Sequence, residues 1–185
     1  TLPKYSISRY AETFSVFYPY FDHAIFQDTL KEFEVDPQQK IKDLSFGQKK
    51  KLHVAFALAT QVELLILDEP TNGMDIPSKA KFRSVVSKTL GESQTIIIST
   101  HQIRDLGQLL DTLVLIEHGK IILNEEIYEI SESYNTVFVP GKSIPEHALY
   151  SEPVAGGSMI LVPANQNEPG EIDIEILFNA IVTNP

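Results

Sequence analysis

The run Leu64-Leu65-Ile66-Leu67-Asp68-Glu69-Pro70 constrains this chain more than any other stretch. Four apolar residues lead without interruption into two carboxylates, and a proline then stops the strand. Continuous rather than alternating apolarity suits a strand covered on both faces, as in a parallel sheet. In such sheets the chemistry gathers just beyond the carboxyl ends of the strands, which is where Asp68 and Glu69 stand. Taken alone, the heptapeptide reads equally as a strand ending in a solvated acidic turn, or as two carboxylates serving a cation, a proton or a water.

The next segments sharpen this. Thr71-Asn72-Gly73-Met74-Asp75 is a turn-rich loop, and Asp75 with Pro77 suits a helix start. Phe82, Val85, Val86 and Leu90 give that helix an apolar face, and Gly91 stops it. Thr95-Ile96-Ile97-Ile98 forms a second unbroken apolar strand, with Ser99-Thr100-His101 at its end. Strand, helix and strand have the size of a right-handed βαβ unit, roughly thirty residues. Both strands then point the same way, and His101 comes near Asp68 and Glu69. A histidine after a strand carries no function by itself; the proximity makes it a candidate.

Upstream, residues 44–48 read Leu-Ser-Phe-Gly-Gln. Ser45 is a good N-cap, and Leu52, Ala55, Phe56 and Ala59 give the i, i+3, i+4, i+7 face of a helix running to about Thr60. Gly47 lies in its first turn, where the missing side chain lets another molecule approach backbone N–H groups. Lys49, Lys50 and Lys51 oppose the helix dipole, an arrangement that becomes favourable if an anion visits that end; a solvated basic face is the competing reading. Residues 1–21 are rich in aromatics. Phe14, Phe17, Tyr18 and Phe21 recur at helical steps, but Pro19 interrupts any single helix. Packing is the default for these rings, with a partner-facing patch as the second reading. A helix capped by Asp22 follows, with Ile25, Phe26, Leu30 and Phe33 on one face, ended by Val35-Asp36-Pro37.

Downstream, a short helix over 103–110 precedes Thr112–Ile116, and Glu117-His118-Gly119-Lys120 turns into Ile121-Ile122-Leu123 as a hairpin. Residues 124–131 read as a brief acidic helix. Short β-type runs at 136–139 and 159–162 then alternate with Pro- and Gly-bearing loops, and 171–182 forms an amphipathic helix. This tail reads as a small appended unit without a catalytic constellation. Gly141-Lys142-Ser143 imitates the end of a phosphate loop, G-x-x-x-x-G-K-[ST]. The first glycine of that pattern would be residue 136, which is Thr136, so we set it aside.

Composition excludes several classes. With 185 residues, 43% of them hydrophobic, the chain supports one core of ordinary size and perhaps a small appendage. No cysteine is present, which removes disulfides and thiolate metal sites. The formal charge of −10 argues against broad nucleic-acid binding. No apolar run approaches the roughly 18–20 residues needed to span a bilayer, and no basic-then-apolar leader opens the chain. The first residue is Thr1, so the numbering is expected to start inside a longer polypeptide.

Together these segments resemble the ATP-binding cassette (ABC) ATPase family over about residues 1–130, in the family's own order. Residues 44–48 are similar to its signature, 64–69 to its Walker B strand, 72–75 to its D-loop, and His101 to its switch histidine. The resemblance implies an α/β fold: a partial P-loop-NTPase-like core of parallel strands, a helical subdomain, and a small C-terminal α+β extension. Its implied parts are 1–62 (helical signature subdomain), 63–134 (partial catalytic core) and 135–185 (extension). Asp68 is then expected to hold Mg²⁺ through water, Glu69 to polarise the attacking water, and His101 to contact the γ-phosphate of ATP, the division of labour that phosphoryl transfer asks for. Ser45, Phe46, Gly47 and Gln48 would face a nucleotide held by a second ABC ATPase subunit, in a homodimer or heterodimer, and Asp75 would bridge the two subunits.

Two departures accompany the resemblance. Phe46 stands where the commonest pattern has a second glycine, so a side chain crowds the approach. No Walker A loop or glutamine loop precedes the signature; in the family both lie upstream of it, so here they would be expected before Thr1. The 185-residue chain alone is therefore expected to bind ATP poorly and not to hydrolyse it. The resemblance implies an ATPase subunit driving a separate membrane permease, exporter-type in style, cytoplasmic and peripheral on the inner membrane face, with residues 1–33 as the docking face. Alternatives are a soluble, non-transport ABC ATPase acting in translation or on DNA, and a non-catalytic dimerisation or regulatory cassette.

Overall fold

The computed structural model describes residues 5–91, 93–106, 109–141, 143–164 and 171–183. The chain forms two compact units, Thr1–Gly107 and Gln108–Pro185, each described here by itself. Among the described residues no helix is long and apolar enough to cross a membrane.

The first unit opens with α1 (Ile7–Phe14), capped by Ser6, whose hydroxyl accepts from the Arg9 N–H. The chain reverses through a 3₁₀ turn, Ser15–Phe17, and enters α2 (His23–Glu32). The Asp22 carboxylate caps α2 by accepting from the N–H groups of Ala24 and Ile25 at 2.7 and 3.0 Å. The chain leaves α2 through Phe33 and through Glu34 at φ +57°, earlier than the Val35-Asp36-Pro37 stop. The long helix α3 (Phe46–Ala59) follows.

Packing accounts for most of the N-terminal aromatics. Tyr10, Tyr18, Phe21 and Phe26 surround Phe56 of α3, with ring centroids 5.0–6.1 Å from it, edge-on or tilted, the geometry aromatic quadrupoles favour. Phe17 and Tyr20 stay outside, 72% and 79% exposed.

Strand β1 (Leu64–Asp68) pairs in parallel with β2 (Thr95–Ser99), in register from Leu64 opposite Thr95 to Asp68 opposite Ser99, and α4 (Ile76–Thr89) connects them. This is the expected βαβ unit. The expectation of two covered faces is met on one side only. Leu67 is buried, and Leu65 lines a small cavity with Ala57, Leu58 and Leu90, between α3 and the end of α4. Leu64, Ile66 and Ile97 on the other face are 52%, 64% and 51% exposed. Successive side chains point to opposite faces, and the helices of this unit cover one of them. The short helix expected at 103–110 is a 3₁₀ turn, Ile103–Asp105; residues 107–108 of that expectation lie outside the described residues.

The second unit begins with the expected hairpin of β3 (Thr112–Glu117) and β4 (Lys120–Glu126). His118 and Gly119 form its two-residue turn with φ of +49° and +74°, the signs of a type I′ turn. The expected helix at 124–131 begins later. Asn124–Glu126 still pair with β3, and only then does α5 (Ile127–Ser133) start. Strand β7 (Gly157–Pro163) lies between β5 (Tyr134–Pro140) and β6 (Tyr150–Val154), antiparallel to both. Sequence reading did not foresee β6, because it contains Pro153. A proline is tolerated there, since β6 is an edge strand. The last helix, α6 (Ile174–Thr183), starts three residues after Glu171. The N–H groups of Glu171 and Asp173 instead donate to the side chains of Asn135 and Thr136. Leu113 and Leu115 of β3 join Ile130, Leu161, Ile176, Leu177 and Ala180 in one apolar core. Gly141 turns with φ +85°; Lys142, of the loop set aside above, lies outside the described residues.

Candidate functional site

Parallel register brings the acids and the histidine together. Asp68 ends β1 opposite Ser99, whose hydroxyl donates to Asp68 Oδ1 at 2.5 Å. One residue on, Glu69 has φ +45°, a left-handed conformation unusual for a residue with a side chain. Its backbone is held there from three sides. Its N–H donates to the Ser99 carbonyl at 2.9 Å, and its carbonyl accepts from Asn72 N–H at 3.3 Å and Lys50 Nζ at 3.0 Å.

This bend aims the Glu69 carboxylate at the end of β2. Oε1 accepts from the His101 N–H at 3.0 Å and faces His101 Nδ1 at 2.5 Å, while Oε2 accepts from the Thr100 hydroxyl at 3.0 Å. Burial, the largest single influence, pushes this carboxyl up. The His101 ring and N–H and the Thr100 hydroxyl favour the charged form and together outweigh it, so Glu69 sits below its usual range. A carboxylate offers about four acceptor positions; donors among the described residues take three, which leaves one for a water. Glu69 is 26% exposed along its side chain and His101 68%. The pair is an ionised acceptor at a solvent margin, chemically suited to orienting a water or taking its proton.

Asp68 is exposed, and beyond Ser99 its carboxylate has no other hydrogen-bond partner among the described residues. No cluster of three or more His, Asp or Glu that could cage a metal occurs among them. Mg²⁺ needs no such cage, because it keeps several waters and takes one or two carboxylates plus substrate phosphates. An open carboxylate beside a hydroxyl fits that mode of binding.

The signature residues start α3. The Ser45 hydroxyl accepts from Gln48 N–H at 3.2 Å, and Gln48 Oε1 accepts from Ser45 N–H at 2.9 Å, a reciprocal capping box. Phe46 is 60% exposed, yet its ring lies against Gly73 of the 71–75 loop. A Cβ on Gly73 would fall 2.5 Å from Phe46 Cδ1, and one on Gly47 would fall 2.9 Å from the Gly73 carbonyl oxygen. Lys50 Nζ sits 5.9 Å from the Phe46 ring centroid. The signature and the 71–75 loop therefore touch within one chain, and Lys50 joins both to Glu69. Asp75 caps α4, accepting from Ser78 N–H at 2.9 Å. The Ser78 hydroxyl, then its N–H, hold the Asp75 carboxyl below its usual range.

Sequence reasoning missed four contributors. Ser99 and Thr100 were recognisable as the polar end of β2, but only the pairing register assigns one to Asp68 and the other to Glu69. Lys50 was read as part of a basic face; here its ammonium serves the Glu69 carbonyl. Asp105 carried no signal in its neighbourhood, and its partners, Thr71 and Lys79, are distant in sequence.

Comparison with known proteins bears on the fold and the family resemblance. Residues 14–72 match the ABC transporter family model. The lantibiotic transport ATP-binding protein SrtF of Streptococcus pyogenes is 38% identical over 101 residues, 55% of this chain and 44% of that protein. The energy-coupling factor transporter ATP-binding protein EcfA2 of Mycoplasmoides gallisepticum is 26% identical over 143 residues, 77% of this chain and 45% of its own length. The chain thus spans somewhat under half the length of these curated relatives. A solved cobalt transport ATP-binding protein shares the fold with a TM-score of 0.61 at 18% identity, over 88% of this chain and 60% of that one. A solved ATP-binding subunit of an ABC transporter gives a TM-score of 0.60 at 19% identity, over 70% and 57%. Over residues 14–72 the chain is thus similar to the ABC transporter family, and its fold is that of solved ABC ATP-binding proteins.

Proposed function

We propose that this protein is the ATP-binding and ATP-hydrolysing subunit of an ABC transporter, working as a dimer that powers a separate membrane permease. The observation that carries the reading is the Glu69 carboxylate, ionised, held by Thr100 and His101, with one acceptor position left toward solvent beside the open Asp68. In this reading Glu69 orients the attacking water. His101, fixed through Nδ1, turns the rest of its exposed ring toward the γ-phosphate. Asp68 holds hydrated Mg²⁺, which when bound offsets charge on the phosphates. Ser45, Phe46, Gly47 and Gln48 meet the nucleotide of the second subunit, and Asp75 bridges the pair.

Within this scheme residues 1–62 act as the helical subdomain, 63–134 as part of the catalytic core, and 135–185 as an extension. In this reading the exposed Phe17 and Tyr20 belong to the permease-facing surface, and the protein sits peripherally on the cytoplasmic side of the membrane. Likeness to a protein named for Nod factor export favours the export direction.

Glu69→Gln tests this in the whole protein. The amide keeps the shape and one acceptor oxygen, but its NH2 replaces the other and it cannot take a proton, so ATP turnover should fall by about a hundredfold or more, while ATP-bound dimers accumulate on size exclusion. Turnover within twofold of the parent overturns the assignment.

A further inference from the structure

Asp105 lies four residues beyond His101 and joins three separate segments. Its carboxylate Oδ2 accepts from the Thr71 hydroxyl at 3.2 Å and pairs with Lys79 Nζ at 2.7 Å. Its carbonyl accepts from Arg83 Nη1 at 2.8 Å. Thr71 is fully buried, and the Asp105 and Lys79 side chains are 16% and 21% exposed, so this ion pair is largely shielded from water. Lys79 also donates to Gln102 Oε1 at 3.1 Å, and Gln102 N–H donates to Thr100 Oγ1 at 3.0 Å. Thr100 is the residue that donates to Glu69 Oε2.

These contacts close a ring. From Glu69 the backbone runs through Pro70 to Thr71. Side chains then lead to Asp105, Lys79, Gln102 and Thr100, and back to the Glu69 carboxylate. A ring of this kind resists displacement of any member, because each polar group that loses its partner is left in a shielded place. It ties the segment carrying His101 to the loop after Glu69.

We propose that Asp105 and Lys79 are positioning residues that hold His101 and Thr100 in register against Glu69 through the Thr71–Asp105–Lys79–Gln102 ring. The proposal rests on the reading of Glu69 and His101 as the reacting pair. Neither Asp105 nor Lys79 needs to touch nucleotide; both act through Thr100 and Gln102.

Because Glu69 is an ionised acceptor, its contact with His101 calls for a proton on Nδ1 of the neutral ring. A free neutral histidine favours the proton on Nε2, so the tautomer reports whether the pair is held. Long-range ¹H–¹⁵N NMR of the imidazole rings of the 185-residue chain, at about pH 9 where a histidine is ordinarily neutral, reads it directly. The parent should show the Nδ1–H form of His101. Asp105→Asn and Lys79→Ala should each shift His101 towards Nε2–H while the backbone amide spectrum stays that of the folded chain, and Lys79→Arg should restore the parent signature. An unchanged His101 tautomer in a folded Asp105→Asn or Lys79→Ala chain overturns the proposal. Thr71→Val, which keeps shape and removes only the hydroxyl, decides the matter in the same way should either variant fail to fold.

In the whole protein the same two substitutions should lower kcat for ATP about tenfold, the scale of a small misplacement of reacting groups, with KM within twofold. Equal loss in kcat/KM through KM alone would mark a binding role and overturn the positioning one. A parent that turns over no ATP would refute the proposed function, while the tautomer experiment would still decide the positioning role.

Discussion

The contact between Phe46 and Gly73 makes a quantitative prediction about how the signature and the following loop share space. Gly73 has φ +80°, and a Cβ there would sit 2.5 and 2.6 Å from Cδ1 and Cε1 of Phe46. Gly73→Ala therefore meets two obstacles. An alanine in the left-handed region costs roughly 1–2 kcal/mol. The exposed ring must also swing away, giving up its place near Lys50, a contact of about 0.5–1 kcal/mol at an exposed site. The sum is about 1.5–3 kcal/mol. In a Phe46→Ala background the second obstacle is gone, and Gly73→Ala should cost only the backbone part. The cycle should thus show a coupling of about 0.5–1 kcal/mol. Gly47→Ala is the control: its Cβ would lie 2.9 Å from the Gly73 carbonyl oxygen, and Phe46→Ala does not move backbone out of its way. That penalty should be the same in both backgrounds. Urea unfolding, read from backbone amide intensities of residues 5–91, measures the parent and all five variants. Additivity of Phe46→Ala and Gly73→Ala within about 0.3 kcal/mol would refute the packing argument.

Two further perturbations test the site's scaffolding. Ser45→Ala removes the half of the capping box in which the hydroxyl accepts from Gln48 N–H, while the backbone N–H at position 45 can still donate to Gln48 Oε1, and should destabilise the first unit by about 1 kcal/mol in the same assay. The pH dependence of stability carries a signature from Asp75. Its folded carboxyl is depressed by Ser78, so its contribution is present above the ordinary aspartate range and is lost as pH falls through the folded value. Asp75→Asn keeps a capping side chain that does not titrate. The variant should therefore lose less stability than the parent between neutral pH and about pH 3; equal slopes in acid urea titrations would contradict the assignment.

Much of this site is legible in the sequence. An unbroken apolar run can be only a few kinds of strand, and two such runs joined by a helix-length segment dictate parallel pairing. That pairing alone brings Asp68, Glu69 and His101 to one edge. Capping residues were equally readable, because Asp22, Ser45 and Asp75 act on N–H groups two or three residues away, within the reach of local sequence. Strand β6 was not readable: its proline signals a break in one dimension and an edge only once neighbours are known. The end of the hairpin, Asn124–Glu126, was misread for the same reason, since its acidic residues favour a helix start until β3 supplies partners.

The sequence by itself determined the parallel βαβ unit, the caps, and the identity of the reacting candidates, because those depend on periodicity and on hydrogen bonds between near neighbours. Tertiary structure decided how the candidates are held. It placed Lys50 under the Glu69 carbonyl, laid Phe46 against Gly73, and closed the ring from Thr71 through Asp105 and Lys79 to Thr100. Apart from the local Gln102–Thr100 bond, each of those contacts joins residues some twenty or more positions apart or depends on a turn with positive φ. No local propensity encodes them; they exist only because the strands and helices pack in one arrangement that leaves these polar groups facing one another.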